Sequence, residues 1–294
     1  MKKILSIVLS AGLCVSLFAA DIFTYAPMKG NVKSYTKTDF TIASKFGNYF
    51  RTPSAKFNHV LDENGKEIES TELTAKNVAV NTIKSSYDSL GNLKSQVCST
   101  PEGEILWKSE IAYKNNMKSE VSEFNANNEL KSKTIYSYSF DKLTDESSYN
   151  SDGALVWKTV YTYTSDGVLD AVSEYFPTGA LSEESKYEYA EDGTIKSITH
   201  IESTNKEPLQ EVFRYDDKGL LTEITTYDES KQITKRVLFK YDSKDNIAKV
   251  TTYNVAQKFG GIVQELADMT DYSFEYNGSD IDSDNDTVIV ISEK

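Results

Sequence analysis

The chain of 294 residues has very little of three residue types on which many folds and active sites depend. It contains two cysteines, two histidines and five prolines. Cys14 lies in an N-terminal apolar run, so Cys98 is the one cysteine left for the rest of the chain. No intramolecular disulfide is then available in an oxidising compartment. The stability of the fold is expected to come from sheet hydrogen bonds and packing.

Residues that carry catalysis are equally scarce. His59 and His200 are far apart in the chain, and the sequence has no nucleophile elbow, zinc-protease motif or phosphate-binding loop. We expect both histidines to be ordinary surface or cap residues and Cys98 to be a packed strand thiol. Strand acids such as Glu183 are expected to form solubilising cross-strand pairs with lysines such as Lys186. The chain is therefore predicted not to be an enzyme.

The strongly apolar part of the chain is confined to its start. A basic segment, Met1–Lys3, precedes the apolar run Ile4–Phe18 and the small residues Ala19 and Ala20. This order predicts a secretory signal peptide over residues 1–20, because the run is too short to cross a bilayer comfortably. Cys14 lies inside the run, which disfavours a lipid anchor. The mature protein is expected to be exported, soluble or peripherally held, and periplasmic, at the cell surface or secreted.

The charge balance is strongly acidic. The formal net charge is −13, and loss of Lys2 and Lys3 with the signal peptide would bring it to about −15. Nucleic acids and anionic lipid surfaces repel such a field. A protein or a glycan at the cell envelope is therefore the expected partner.

Tyrosine recurs along the chain with a period of 25 or 26 residues. The series is Tyr87, Tyr113, Tyr138, Tyr163, Tyr189, Tyr215 and Tyr241. A second series divides each period into about 12 and 14 residues: Ser99, Phe124, Tyr149, Tyr175, Ile201, Tyr227 and Tyr253. The stretches between turns alternate in period two, and a polar turn often carries Gly, as in Tyr87–Leu93. Each unit is predicted to be a turn plus one outgoing strand, with Gly supplying a positive φ.

These units predict an all-β fold built as an elongated antiparallel meander of hairpins. About fourteen strands at roughly 4.8 Å spacing would form a single-layer or solenoid-like sheet some 65 Å long. Paired rings two residues apart, such as Tyr187 and Tyr189, should form one aromatic column. The sequence Ala43–Gly47 is echoed at Ala256–Gly260. We expect an N-terminal cap with the first units over 21–86, repeats over 87–253 and a C-terminal cap over 254–294.

The Tyr-Asp-x-x-Gly-x-Leu units at Tyr87–Leu93 and Tyr215–Leu221 resemble YD repeats of the Rhs type. A weaker similarity exists to the MORN-variant repeats of bacterial exported proteins, and the resemblance covers roughly residues 61–276. It implies a β-meander, and such repeats form shells, stalks and adhesive surfaces. The Rhs proteins are far longer and enclose a toxin. The array here is expected to be too short to close a shell, so toxin delivery is not carried over.

Two sets of residues are candidates for binding. Tyr163, Tyr189 and Tyr215 could stack on sugar rings if the aromatic column is exposed, or form the core if it is covered. Asp282, Asp284, Asp286 and Glu293 resemble a calcium loop, although Thr287 replaces the Gly that makes the sharp turn. A solvated acidic turn before a last strand explains the same residues. Apart from calcium, no cofactor is indicated.

The expected function is that of an exported, non-enzymatic repeat protein. Its extended β-sheet surface would serve protein–protein interaction or adhesion. A glycan-binding module that uses the tyrosine column is the alternative, and an enzyme is the third reading.

Overall fold

The structure, a computed structural model, describes residues 22–45, 48–204, 208–258 and 260–278. The described chain is β-structure apart from one helical turn at residues 22–25. The strands are β1 (Val32–Lys45), β2 (Asn48–Leu61), β3 (Glu67–Thr74), β4 (Ala79–Tyr87), β5 (Leu93–Ser99), β6 (Ile105–Lys114), β7 (Met117–Asn125), β8 (Leu130–Ser139), β9 (Lys142–Asn150), β10 (Leu155–Tyr163), β11 (Leu169–Tyr175), β12 (Leu181–Tyr189), β13 (Ile195–Glu202), β14 (Leu209–Tyr215), β15 (Leu221–Tyr227), β16 (Ile233–Tyr241), β17 (Ile247–Lys258) and β18 (Gly261–Tyr276).

The strands form a closed antiparallel barrel. Each strand pairs with the next one in sequence, and β1 also pairs with β18. The predicted all-β antiparallel meander is confirmed. The predicted single-layer or solenoid-like sheet is wrong, because the two ends of the meander pair with each other. Strand twist and stagger accumulate across a long meander until its ends meet, and closure removes both open edges of the sheet.

The seam of the barrel joins residues that are about 240 positions apart. Tyr35 lies opposite Phe274, Val32 opposite Tyr276, and Phe40 opposite Met269. The terminal regions, expected to cap open edges, instead supply the two strands that pair with each other. The predicted bounds of the N-terminal cap, the repeats and the C-terminal cap stay a prediction.

The turns have the chemistry that the repeat predicts. In the turn after Tyr87, the side chain of Asp88 accepts the backbone N–H groups of Leu90 and Asn92 at 2.9 and 2.8 Å. These bonds, above all the one from Asn92, hold the pKa of Asp88 below its usual range. Gly91 takes a φ of +81°, which an L side chain rarely adopts. The aspartate of the repeat therefore fixes the turn, and the glycine closes it.

The aromatic face of the strands is the inner face of the barrel. In the N-terminal segment, the ring of Phe23 lies 5.4 Å from Tyr35 and 5.9 Å from Tyr272, and the ring of Tyr25 lies 5.4 Å from Phe213. Tyr272 and Phe213 are on β18 and β14, four strand spacings or about 19 Å apart along the sheet. Phe23 and Tyr25 are two residues apart, so they can contact both β18 and β14 only if the N-terminal segment lies on the concave side of the sheet, inside the barrel.

The buried core lies on one side of the barrel interior. It consists of Val32, Tyr35, Leu61, Ile198, Phe213, Leu221, Ile224, Phe239, Ile247 and Tyr272. The N-terminal segment packs against this cluster through Ile22, Phe23, Tyr25 and Met28. The core is therefore local, formed by β1, β2 and β13–β18 and covered by the N-terminal segment.

Asn246 fastens the N-terminal segment to the barrel. Its side chain accepts the backbone N–H of Lys29 at 2.7 Å and donates to the carbonyl of Lys29 at 2.9 Å. It also donates to the hydroxyl of Tyr276 at 2.7 Å, and that hydroxyl donates to Asp242 at 3.0 Å. Asn246 is almost fully buried. One amide thus joins the N-terminal segment, the β16–β17 turn and the last strand.

Two predictions lie outside the described residues: the signal peptide at 1–20, and the calcium loop with Asp282, Asp284, Asp286 and Glu293. No helix in the described part of the chain is long and apolar enough to cross a membrane.

Candidate functional site: the inner wall and the projecting hairpins

Six of the seven repeat tyrosines make the same hydrogen bond. Each hydroxyl donates to the backbone carbonyl of the residue 20 positions earlier, at the start of the preceding strand. The pairs are Tyr87 to Glu67, Tyr113 to Leu93, Tyr163 to Leu143, Tyr189 to Leu169, Tyr215 to Ile195 and Tyr241 to Leu221, at 2.7–3.1 Å. We call this set the tyrosine ladder. It ties each two-strand unit together near one rim of the barrel.

The ladder tyrosines are half-buried. Burial raises the pKa of Tyr163, Tyr189 and Tyr215, and it raises the pKa of Tyr241 to about 12. Tyr189 also stacks on Tyr187, with ring centroids 6.5 Å apart and planes 19° apart. The aromatic column therefore has a structural role. Sugar binding by Tyr163, Tyr189 and Tyr215 stays a prediction.

Three glutamates on the inner wall lie directly opposite one another on neighbouring strands. Glu174 on β11 is opposite Glu183 on β12, which is opposite Glu202 on β13. Burial, followed by repulsion from Glu183, raises the pKa of Glu174 to about 7. Glu183 was expected to form a solubilising cross-strand pair with a lysine. The register instead places it against like charges, while Glu184 on the outer wall pairs with Lys186 at 2.9 Å.

His200 is the cation nearest to these carboxylates. Its Nδ1 is 3.3 Å from Glu183 and 2.8 Å from the hydroxyl of Ser185, and its Nε2 is 3.5 Å from Glu211. Burial by itself would lower the pKa of His200, but the hydrogen bonds to Glu183 and Glu211 outweigh it and raise the pKa to about 9. His200 is therefore a charged residue of the inner wall and not an ordinary surface residue.

The same wall carries two further tyrosines, Tyr136 on β8 and Tyr161 on β10. The hydroxyl of Tyr161 donates to Glu146 at 2.8 Å. The ammonium group of Lys118 lies 3.9 Å from the ring centroid of Tyr136, within the range of a cation–π interaction. Burial lowers the pKa of Lys118. The inner wall thus places the ammonium group of Lys118 over the ring of Tyr136.

His59 is also inside the barrel. It is 1% exposed, its ring stacks on Tyr35 at 4.3 Å, and its Nδ1 lies 2.7 Å from Glu67. Its Nε2 is buried without a hydrogen-bond partner in the structure. The expectation that His59 is an ordinary surface or cap residue is wrong. A lone histidine in an irregular stretch of sequence gives no indication of such packing.

Other candidates for chemistry are inert or dispersed. Cys98 is a buried free thiol, and burial raises its pKa, which confirms the packed strand thiol. Within the described ranges, no group of three or more His, Cys, Asp or Glu side chains could hold a metal ion.

Two hairpins project beyond the other rim of the barrel. The β1–β18 pairing ends at Phe40 and Met269. Beyond that point β1 pairs only with β2, up to Lys45 and Asn48, and β18 pairs only with β17, up to Lys258 and Gly261. We call these extensions the β1–β2 arm and the β17–β18 arm. The described ends of these arms at Lys45 and Lys258 lie within the sequences that echo each other, Ala43–Gly47 and Ala256–Gly260.

Both faces of the β1–β2 arm are exposed. The consecutive residues Tyr49 and Phe50 point to opposite faces and are 45% and 54% exposed, and Ile262 on the β17–β18 arm is 76% exposed. An isolated two-stranded hairpin is marginally stable in water. Each arm therefore has uncovered faces and two edges without a neighbouring strand: β1 and β18 no longer pair with each other beyond Phe40 and Met269, and β2 and β17 pair with β3 and β16 only as far as Ala55 and Asn254.

The outer wall of the barrel is charged. Its cross-strand and same-strand ion pairs include Lys84 with Glu69, Lys158 with Asp145, Lys186 with Glu184 and Arg236 with Glu223. A hydrogen bond from Arg236 lowers the pKa of Glu223 to about 2. The outer wall is suited to contact with water.

No family model and no curated protein sequence matches this chain. The YD-repeat likeness therefore stays a resemblance of motifs. Among solved structures, a porin-like protein from Bacteroides uniformis is similar over 83% of this chain and 98% of its own, with 8% identity and a TM-score of 0.47. A porin-like protein from Bacteroides vulgatus covers 85% of this chain and 100% of its own, with 12% identity and a TM-score of 0.37. The TcdB2-TccC3-Cdc42 structure is similar over 73% of this chain and 15% of its own, with 11% identity and a TM-score of 0.31.

Proposed function

We propose that this chain is an exported, non-enzymatic β-barrel of the cell envelope that binds another protein through its two projecting arms. The observation that carries the proposal is the pair of open strand edges beyond Phe40 and Met269. Unpaired N–H and C=O groups on such an edge pair readily with an extended segment of another chain.

The side chains around the open edges favour the same role. Residues 40–56 contain three basic and no acidic residues, in a chain whose formal net charge is −13. Tyr49, Phe50 and Ile262 add exposed apolar surface beside the edges. An extended segment with apolar and acidic side chains would fit the β1–β2 arm in backbone pairing, apolar contact and charge.

The charged outer wall favours a location in an aqueous part of the envelope. A lysine or arginine on the lipid-facing side of a barrel costs about 2–4 kcal/mol at the bilayer midplane. The outer wall carries several, including Lys84, Lys158 and Lys186. The proposal therefore places the barrel in the periplasm or on the aqueous side of the cell surface.

Site-specific photo-cross-linking in cells tests the arm as an interface. A photo-reactive residue at the exposed position Ala43 should yield one discrete cross-linked protein. The same residue at Lys84, which is exposed on the outer wall, should not.

Blocking the edge supplies the decisive control. Lys45 and Asn48, three positions apart in the sequence, pair with each other, so the alternation of hydrogen bonds along β1 directs the N–H of Ser44 toward the open edge. Ser44→Pro should abolish the cross-link, and Ser44→Ala should keep it. An unchanged cross-link in the proline variant, or none from Ala43, would rule out pairing at this edge.

A further inference from the structure

We propose that the open edge of the β1–β2 arm pairs with residues 287–291 of a second copy of this chain. The inference rests on the function proposed for the arms, and it names their partner. It joins the β1 edge at residues 41–45 to a stretch that follows the last described residue, Gly278. Each copy contributes a different surface, so the contact is head to tail.

The edge of β1 is the better template of the two edges of the arm. Beyond Phe40, residues 41–45 pair with β2 on one side, and no described strand lies on the other side. None of these five residues is proline. The β2 edge carries Pro53, which has no backbone N–H and blunts an edge. An incoming strand therefore finds five consecutive pairing residues on β1.

Residues 287–291 have the composition of a strand that is covered on both faces. They are Thr, Val, Ile, Val and Ile, and all five are β-branched, which favours β-structure. Strands of the barrel wall alternate between polar and apolar residues, whereas this run does not. A continuous run is typical of a strand buried on both faces. Its length also matches the five residues of the open edge.

The arm offers apolar cover on both faces. Tyr49 and Phe50 point to opposite faces and are 45% and 54% exposed. They lie opposite Ser44 and Ala43 of β1, and these small side chains leave the space above and below the edge open. A strand added to β1 would lie two strand spacings, about 10 Å, from β2. The two rings can lean across β1 and contact it on either face.

The charges of the two parts are complementary. Residues 279–286 contain four aspartates and no basic residue, and residues 40–56 contain three basic and no acidic residues. Antiparallel pairing would place the aspartates just beyond Lys45, the exposed described end of the arm. An exposed ion pair contributes about 1 kcal/mol at most. The charges therefore set the direction of the incoming strand, and backbone pairing and apolar contact supply most of the affinity.

The position of the segment favours a second copy over the same copy. β18 ends at Tyr276, and the open edge begins at the far end of the β1–β18 pairing, beyond Phe40 and Met269. Residues 269–276 extend over roughly 23 Å. Residues 277–286 span at most about 36 Å when fully extended, and they would also have to reverse direction. Pairing with β1 of the same copy would be parallel, which is slightly less stable than antiparallel pairing. A second copy is free of both constraints.

Sedimentation of the purified mature chain over a range of concentrations tests the proposal. The parent protein should form dimers or longer assemblies as its concentration rises. Ser44→Pro blocks the edge and Val290→Pro interrupts the segment, so each should raise the dissociation constant about tenfold or more. Ser283→Pro is the matched control, because it places the same substitution in the aspartate run. It should leave association unchanged.

Mixing the two proline variants tests the head-to-tail geometry. Ser44→Pro keeps its segment and Val290→Pro keeps its edge, so each should stay monomeric alone. Their mixture should form one-to-one dimers that do not grow further. A parent protein that is monomeric at every concentration would overturn the second copy as the partner. Unchanged association of Val290→Pro, or a mixture without dimers, would do the same.

The cross-link from Ala43 in cells distinguishes failure of this inference from failure of the proposed function. A cross-link to a different protein, with a monomeric parent, would support the arm as an interface and overturn the second copy. A cross-link within one chain would show that the segment pairs with its own arm, which also overturns it. Absence of any cross-link would remove the proposed function, and the inference with it.

Discussion

Removing single hydroxyl groups from the tyrosine ladder should lower the stability of the barrel by a predictable amount. In Tyr215→Phe the ring stays in place, and the protein loses one bond, from the hydroxyl to the carbonyl of Ile195 at 3.1 Å. A neutral hydrogen bond contributes about 0.5–1.5 kcal/mol net. We therefore expect a loss of about 1 kcal/mol in the free energy of unfolding, with no cavity cost.

Urea unfolding followed by circular dichroism measures this change. For a chain of this length, with a slope of about 3 kcal/mol per molar urea, a loss of about 1 kcal/mol lowers the midpoint by roughly 0.3 M. The slope itself should not change. Combining Tyr215→Phe with Tyr163→Phe, on a distant strand, should give about twice the effect, because distant substitutions add.

Tyr175→Phe is the control for ring chemistry. Tyr175 lies opposite Lys158 on the outer wall, and its hydroxyl does not belong to the ladder. Its substitution should change stability by less than about 0.5 kcal/mol, as is usual at a surface. If Tyr215→Phe and Tyr175→Phe are equally harmless, the ladder bonds add nothing to stability and the reasoning fails.

Three further results are expected. Asn246→Ala should remove the two hydrogen bonds that hold Lys29 of the N-terminal segment to the barrel, and hydrogen exchange over residues 22–31 should accelerate while the tyrosine ladder stays protected. Because the pKa of Glu174 is raised to about 7 and that of His200 to about 9, stability should be highest at low pH in this window. Stability should fall as pH rises from about 4.5 through 7, where Glu174 loses its proton, and again from about 6.5 through 9, where His200 loses its proton. Thermal unfolding measured from pH 5 to 10 would show both steps. Glu174→Gln should remove the first step. With its charged outer wall, the mature protein should stay in the aqueous phase of a detergent phase separation. Recovery in the detergent phase would contradict the orientation of the strands.

The repeat pattern predicts the strands and turns well because these depend on neighbouring residues. Asp88 and Gly91 identify their turn, since a side-chain acceptor and a positive φ are local requirements. Period-two alternation likewise places Tyr187 and Tyr189 on one face. It does not reveal whether that face points inward, because a flat sheet and a barrel share the same alternation.

Closure and the inner wall depend on registers that the sequence pattern does not encode. Pairing of Tyr35 with Phe274 follows from twist accumulated over the whole meander. The opposition of Glu174 and Glu183 depends on a bulge near the end of β11, and a shift of one residue exchanges the two faces of a strand. The spacing of acids along the sequence therefore favours solubilising pairs, whereas the actual register places like charges together.

The single seam has a consequence for how the chain reaches its folded state. Every strand contact except β1–β18 joins segments that follow one another in sequence, so the hairpins can form in any order at small entropic cost. Joining Val32 to Tyr276 in an unstructured chain would require closing a loop of more than 200 residues. When the meander of hairpins has already formed and curled, its curvature brings β1 and β18 together. Pairing of β1 with β18 is then the last step of folding. Until it forms, the meander has two unpaired edge strands that can pair with neighbouring chains.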